Sequence, residues 1–385
     1  TGWADSMYAS SAIAARWLSV SDPGGAAEGD LDGGREWTPE ALDDEWAELL
    51  AALPNVDEDR IHAALLGGVP DAKRPRVWLE FSGAAQAMAA RPTLYADLLE
   101  QVAASSASGR AETAVHSQIE NDLRRTQVDR SARGASSRGE RAGGSRSGGE
   151  GTGGEGTGGE SDESEALGAL RRVLRAFAAF SPSVSYVQGM NFIASGLLSQ
   201  LDEAEAFWML TLVVAEWLPG HFSPTMRGNA VDCHVLGALS RADCPHLAER
   251  LEALDVTVPL LATRWFLCLW VSVLPHASLL RVWDALFTLG PSATMQVALA
   301  CMRVIRVPLL AASDVGQALG GAKESLRATD GGALLRTALL DVPRLSAADL
   351  AAWRTRGQQK ASEEASSLEA LRRSRARGSS QDAAR

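Results

Sequence analysis

Cysteine is scarce in this 385-residue chain, which has four (Cys233, Cys244, Cys268 and Cys301) and no CxxC pair. That spacing excludes a disulfide framework and a paired-cysteine zinc module. Cys233-His234 and Cys244-Pro245-His246 therefore read as buried thiols beside loop histidines, and the usage suits a reducing cytosol. Strings of valine and isoleucine are also missing, and with them any convincing alternating strand. No run reaches the ~20 apolar residues that span a bilayer. The best, Trp265 to Leu274, stops at Pro275 and reads as a buried helix. A net charge of −11 argues against a broad basic surface for nucleic acid. The chain opens at Thr1 with no basic flank or apolar run, which fits a fragment whose targeting signal could be missing.

What remains is helical. Leucine and alanine dominate the 46% apolar content, against 22% charged residues, the balance of a soluble globular protein. Unbranched side chains lose little rotamer freedom on a helix. Residues 1–37 are rich in Gly, Ala, Ser and Asp and are expected to lack order beyond an apolar patch from Ile13 to Leu18. Residues 38–64 read as a helical lead-in, with Thr38 capping and Pro39 in first position, then Trp46, Leu49 and Leu50 and Ile61, Leu65 and Leu66 at helical spacing. Residues 65–312 carry the main domain, 313–347 a helical extension and 348–385 a charged, mostly disordered tail. Within the domain, 127–165 is a low-complexity insertion. Arginines crowd its first half, and Glu-Gly-Thr-Gly-Gly repeats from Glu150 to Glu160. It offers no apolar groups to offset the entropy of ordering. Its glycines make no phosphate loop, because no Gly-Lys-Ser/Thr follows and no strand precedes. After it the helical period returns, with Pro219, Pro245, Pro259, Pro275 and Pro291 as punctuation.

Three segments could carry chemistry. In Gly68-Val69-Pro70-Asp71-Ala72-Lys73-Arg74 through Trp78, a turn feeds a helix that sets Arg74 and Trp78 four apart; Trp78 reads as core and Arg74 as a structural ion-pair partner. In Ile119 to Thr126, Val115, Ile119 and Leu123 form an apolar stripe. Arg125 points away from that stripe, near the end of the helix, with Asp122 one turn behind it. A carboxylate at that spacing can hold a guanidinium in place, yet the segment alone also fits an ordinary exposed arginine. In Ser181 to Asn191, Ser-Pro-Ser leads into a helix whose apolar face begins at Met190. Gln188 and Gly189 stand at its entrance, where Gly189 permits close approach by a partner. There Gln188 also fits a simple capping role, and Tyr186 reads as structural.

Together these segments resemble the TBC-domain family of Rab GTPase-activating proteins. The resemblance rests on Ile119-x-x-Asp122-x-x-Arg125, then Tyr186-x-Gln188-Gly189-Met190-Asn191, with Gly68-x-Pro70-x-x-x-Arg74-x-x-x-Trp78 similar to the domain's opening motif. Ala206-Phe207-Trp208, Arg264-Trp265-Phe266-Leu267 and Arg281-Val282-Trp283-Asp284 follow in the family's order. Lys73 stands where the family usually has an apolar residue, and Trp270 where it often has phenylalanine.

The resemblance implies an all-α, multi-helix fold that activates a GTP-bound Rab-family GTPase without being an enzyme itself. Arg125 is expected to act as an arginine finger and Gln188 as a glutamine finger that orients the attacking water. Asp122 is expected to buttress Arg125, with Tyr186, Gly189, Asn191 and Arg74 in support. No cofactor is expected, since GTP and Mg²⁺ belong to the partner. The expected setting is the cytoplasm, with transient recruitment to endomembranes and a role in vesicle trafficking. Two other readings keep the same helices: a Rab-binding module without catalysis, and a scaffold in which every motif is structural.

Overall fold

The computed structural model describes residues 37–107, 114–126, 157–360 and 362–363. Among them there are helices and no strand. The expectations for 1–36, for most of the insertion and for the end of the tail fall outside the described residues.

Helix starts follow local chemistry. Thr38 caps α1 (Pro39–Ala51) by accepting the Ala41 N–H at 3.2 Å, with Pro39 in first position. Asp57 caps α2 (Glu58–Gly67). Next come α3 (Arg74–Ser82), α4 (Ala84–Ala90), α5 (Leu94–Ala107) and α6 (Ala114–Leu123). The central helix α7 (Thr157–Phe180) leads to α8 (Met190–Leu198) and then to α9 (Glu203–Leu212), which starts with a capping box between Asp202 and Glu205. A π-helical turn, Val213–Trp217, closes α9. The prolines then act as predicted. Pro245 and Pro291 open α11 (Pro245–Ala253) and α14 (Pro291–Ala311), Pro259 sits in the first turn of α12 (Val258–Leu267), and Pro275 precedes α13 (His276–Leu289). The remaining elements are α10 (Arg227–Asp243), α15 (Val315–Arg327), α16 (Gly331–Arg336) with a π-helical turn, Thr337–Asp341, after it, and α17 (347–360).

One apolar core runs through the described residues, from Trp46 and Leu49 to Leu339 and Leu350. For the site the decisive packing is around α7, against which α5, α6, α8 and α9 all lie. Its buried Leu170, Val173, Leu174 and Phe177 form a stripe at helical spacing. The second organising contact is α3 on α13, which brings the opening motif against residues about two hundred positions later.

The helix α7 begins at Thr157, within the last residues of the 127–165 insertion. Three expectations are corrected. Residues 348–360 of the tail expected to be mostly disordered belong to α17, with Leu350 buried and Arg354 paired to buried Asp232. Its weak apolar period is offset by that ion pair, which sequence periodicity does not register. The run Trp265–Leu274 is not a single helix: α12 ends at Leu267, and Leu269, Trp270 and Ser272 adopt positive φ in the turn that follows. His234 and His246 lie on α10 and α11, not in loops.

One helix among the described residues is long and apolar enough to cross a membrane, α14, at 21 residues with a mean hydropathy of 1.4. Two thirds of its apolar window is buried in the fold. Arg303 and Arg306 interrupt it, which is why it does not stand out as an apolar run. Three of the four cysteines are buried, and burial pushes the Cys233 and Cys301 thiols up to about 12, so both stay protonated and unreactive.

Candidate functional site

The site begins where α6 ends. Ile119 and Leu123 are buried against the core, as their spacing predicts, and this fixes the roll of the helix. Arg124 and Arg125 lie in a turn just past the last helical residue, closed by the Arg125 N–H donating to the Asp122 carbonyl at 3.0 Å. The Thr126 hydroxyl donates to the same carbonyl at 2.8 Å. Two donors thus satisfy a carbonyl that the helix end would otherwise leave orphaned. The Arg125 side chain is exposed, and its guanidinium makes no hydrogen bond or ion pair to any described residue.

The facing segment enters α8. Ser185 has a φ of 58° and Gly189 a φ of 115°, two left-handed residues that turn the chain sharply on either side of Val187 and Gln188. A Cβ at Gly189 would lie 2.7 Å from the carbonyl oxygen of Leu267 at the end of α12. The close approach that Gly189 permits within this chain is to the protein's own backbone. Gln188 is exposed and provides no cap; the N-terminus of α8 has no side-chain cap, and Asn191 accepts the Gly189 N–H at 3.0 Å instead.

Buried hydrogen bonds join the two segments. The Tyr186 hydroxyl donates to Asp122 Oδ2 at 2.8 Å. Asn191 Nδ2 donates to Thr126 Oγ1 at 2.8 Å. Tyr186, Asp122, Thr126 and Asn191 are all buried, so each group depends on these partners. Burial, then the hydrogen bond to the Asp122 carboxylate, raises the Tyr186 phenol well above its ordinary range, so it acts only as a fixed donor.

The geometry revises two expectations. Asp122 does not hold the Arg125 guanidinium: its carboxylate is turned inward to Tyr186, and it supports Arg125 through the backbone bond alone. Tyr186 is more than core filling, since its hydroxyl is half of the tie between the segments. Sequence reasoning assigned no role to Thr126, although a threonine at a helix end that can bond back four residues is a visible signal.

Arg74 stands apart from this cluster. It is buried at 5% exposure, and its Nε donates to Asp284 Oδ1 at 2.9 Å, to which Trp78 Nε1 also donates at 2.8 Å. It also bonds Asp71 and the Val69 carbonyl. It is the structural ion pair the sequence suggested, with a partner the sequence did not identify. Lys73, at an unusual position for a lysine in that motif, pairs with Asp43 at 2.7 Å.

Comparison with known proteins places this arrangement. The family model for the Rab-GTPase-TBC domain matches residues 159–310, which include the Gln188 segment. The growth hormone-regulated TBC protein 1-A of Danio rerio is 32% identical over 260 residues, covering 67% of this chain and 64% of that protein. The human growth hormone-regulated TBC protein 1 is 33% identical over 249 residues, covering 64% of each. The chain thus spans less than two thirds of the length of these curated relatives. Among solved structures, the Chlamydomonas flagellar RabGAP TBC domain superposes with a TM-score of 0.60 at 25% identity, covering 78% of this chain and 94% of that one. The Ypt/Rab-GAP domain of Gyp1p shares the fold, with a TM-score of 0.58 at 14% identity. With the motif spacing, the helical fold and these likenesses in agreement, residues 159–310 are identified as part of a Rab-GTPase-TBC domain.

Proposed function

We propose that this protein is a GTPase-activating protein for a Rab-type small GTPase, contributing Arg125 and Gln188 in trans to the partner's active site. The observation that carries the proposal is the contrast within the site. Arg125 and Gln188 are exposed and make no side-chain hydrogen bond to a described residue, while Asp122 and Thr126 near the one and Tyr186 and Asn191 near the other are buried and tied together. A structural arginine or glutamine has no need of that support, whereas a group that must meet a phosphate at a fixed angle does. This argues against the purely structural scaffold.

Small GTPases hydrolyse GTP slowly because charge developing on the phosphoryl oxygens is incompletely countered and the attacking water is loosely held. An arginine supplied in trans is worth roughly 10³–10⁵ in rate. The planar guanidinium of Arg125 offers a fork of donors suited to the β- and γ-phosphate oxygens. The Gln188 amide, donor and acceptor at once, suits the orientation of a water. No proton transfer by this chain is required, and no cofactor of its own, since GTP and Mg²⁺ come with the partner. Action in the cytoplasm and transiently at endomembranes, through a membrane-anchored GTPase in vesicle trafficking, belongs to the same proposal.

Single-turnover GTP hydrolysis across a panel of Rab proteins tests it. The wild-type chain is expected to accelerate at least one, and Arg125→Ala and Gln188→Ala each to cut that rate by orders of magnitude with unchanged thermal stability. A wild-type chain that binds GTP-loaded Rab without acceleration would replace this reading with a non-catalytic binding module.

A further inference from the structure

We propose that Thr126 is a positioning residue, whose hydroxyl sets the placement of both Arg125 and Gln188 at once. This rests on the GTPase-activating reading of the same site.

Four hydrogen bonds close a ring. Thr126 Oγ1 donates to the Asp122 carbonyl at 2.8 Å, and Asn191 Nδ2 donates to Thr126 Oγ1 at 2.8 Å. Asn191 Oδ1 accepts the Gly189 N–H at 3.0 Å, and the Tyr186 hydroxyl returns to Asp122 Oδ2 at 2.8 Å. Arg125 lies on the arm between Asp122 and Thr126, and Gln188 on the arm between Tyr186 and Gly189. The Thr126 hydroxyl is the only atom of this ring that serves both arms as donor and acceptor. It stitches the turn that presents Arg125, and it fixes the Asn191 amide, whose other end holds the turn that presents Gln188.

Burial makes the hydroxyl hard to replace. Thr126 is 7% exposed and Asn191 2%, so water has little access to stand in for the lost partner. Without the hydroxyl, the Asn191 amide has every reason to rotate toward another acceptor. Rotation would also withdraw Oδ1 from the Gly189 N–H. A misplacement of about 1 Å costs on the order of 10²-fold in rate when geometry is the whole contribution. The threonine methyl, by contrast, contributes only packing.

The test compares Thr126→Val, which keeps the shape and removes the hydroxyl, with Thr126→Ser, which keeps the hydroxyl. On a GTPase that the wild-type chain activates, Thr126→Val is expected to lower the maximal accelerated rate by roughly 10- to 100-fold. The half-saturating concentration should stay within about threefold of wild type. Thr126→Ser should restore the maximal rate to within about threefold. Adding Arg125→Ala to Thr126→Val should cost much less than it does in wild type, because one arm is already displaced. A merely structural threonine would lower thermal stability but leave the maximal rate of the folded protein intact, and that result would overturn the inference. So would a serine variant as slow as the valine.

Amide exchange supplies a readout that needs no GTPase. Thr126→Val should raise the exchange rate of the Gly189 amide tenfold or more, while amides inside α8, from Ile193 to Leu198, keep their protection. If Gly189 stays as protected as in wild type, the tie does not position this turn and the inference falls even if the chain activates a GTPase. If the wild-type chain activates nothing, the functional reading fails, and the exchange result still decides whether the tie holds. Should Thr126→Val not fold, Thr126→Ala removes the same hydroxyl without crowding the site.

Discussion

Removing the Arg74 side chain should destabilise the protein in a strongly pH-dependent way. Asp284 is fully enclosed, and its carboxylate is answered by Arg74 Nε at 2.9 Å and Trp78 Nε1 at 2.8 Å. The other acidic partner of Arg74, Asp71, is 92% exposed and contributes little. Arg74→Ala therefore leaves a buried carboxylate with one neutral donor, a change that costs about 3–5 kcal/mol in comparable buried pairs. Burial already pushes Asp284 up to about 6, against the pull of Arg74. Losing the guanidinium raises it further, at about 1.4 kcal/mol per unit.

The sign follows from linkage. A carboxyl raised above its unfolded value of 3.8 contributes stability that is fully present below that value and lost as pH rises through the folded value. In the variant the loss continues to higher pH than in wild type. The difference between the two proteins should thus be smallest near pH 5, about 1 kcal/mol from lost packing of the arginine stem. Near pH 8 it should reach the full 3–5 kcal/mol. Urea unfolding followed by tryptophan fluorescence at the two pH values measures this. Arg74→Met with Asp284→Asn removes the charge while keeping an acceptor for Trp78, and should recover most of the loss at pH 8. An equal penalty at both pH values, or a double variant no better than the single one, would refute the electrostatic account.

Gly189→Ala should lower stability by roughly 1–3 kcal/mol and abolish acceleration, because φ is 115° and the added Cβ meets the Leu267 carbonyl at 2.7 Å. An unchanged thermal midpoint would mean the turn relaxes freely. Arg354→Ala should cost up to about 3–5 kcal/mol, because Asp232, 1% exposed, loses two Arg354 bonds at 2.8 and 2.7 Å and keeps only the His221 ring at 3.3 Å among the described residues. Limited proteolysis should then cut first within 347–360, and Asp232→Asn should return part of the loss. A variant as resistant as wild type would show that α17 is held by packing alone.

Much of this protein is set by local chemistry and is legible in the chain. Scarce β-branched runs, the caps at Thr38 and Asp57, the prolines that open helices, and apolar stripes such as Ile119 and Leu123 all fix helices within a few residues of where they stand. The exposure of Arg125 and Gln188 was legible as well, since a turn past a helix end and a helix entrance leave side chains outward. Tertiary structure alone decided who meets whom. Asp284 lies 210 residues from Arg74, Asp122 lies 64 from Tyr186, and Arg354 lies 122 from Asp232. Helical periodicity reports which face is buried, not which helix covers it. For that reason the inward turn of Asp122, the bridging hydroxyl of Thr126 and the docking of 347–360 appear only once distant helices have packed together and burial has left the polar groups no partner but one another.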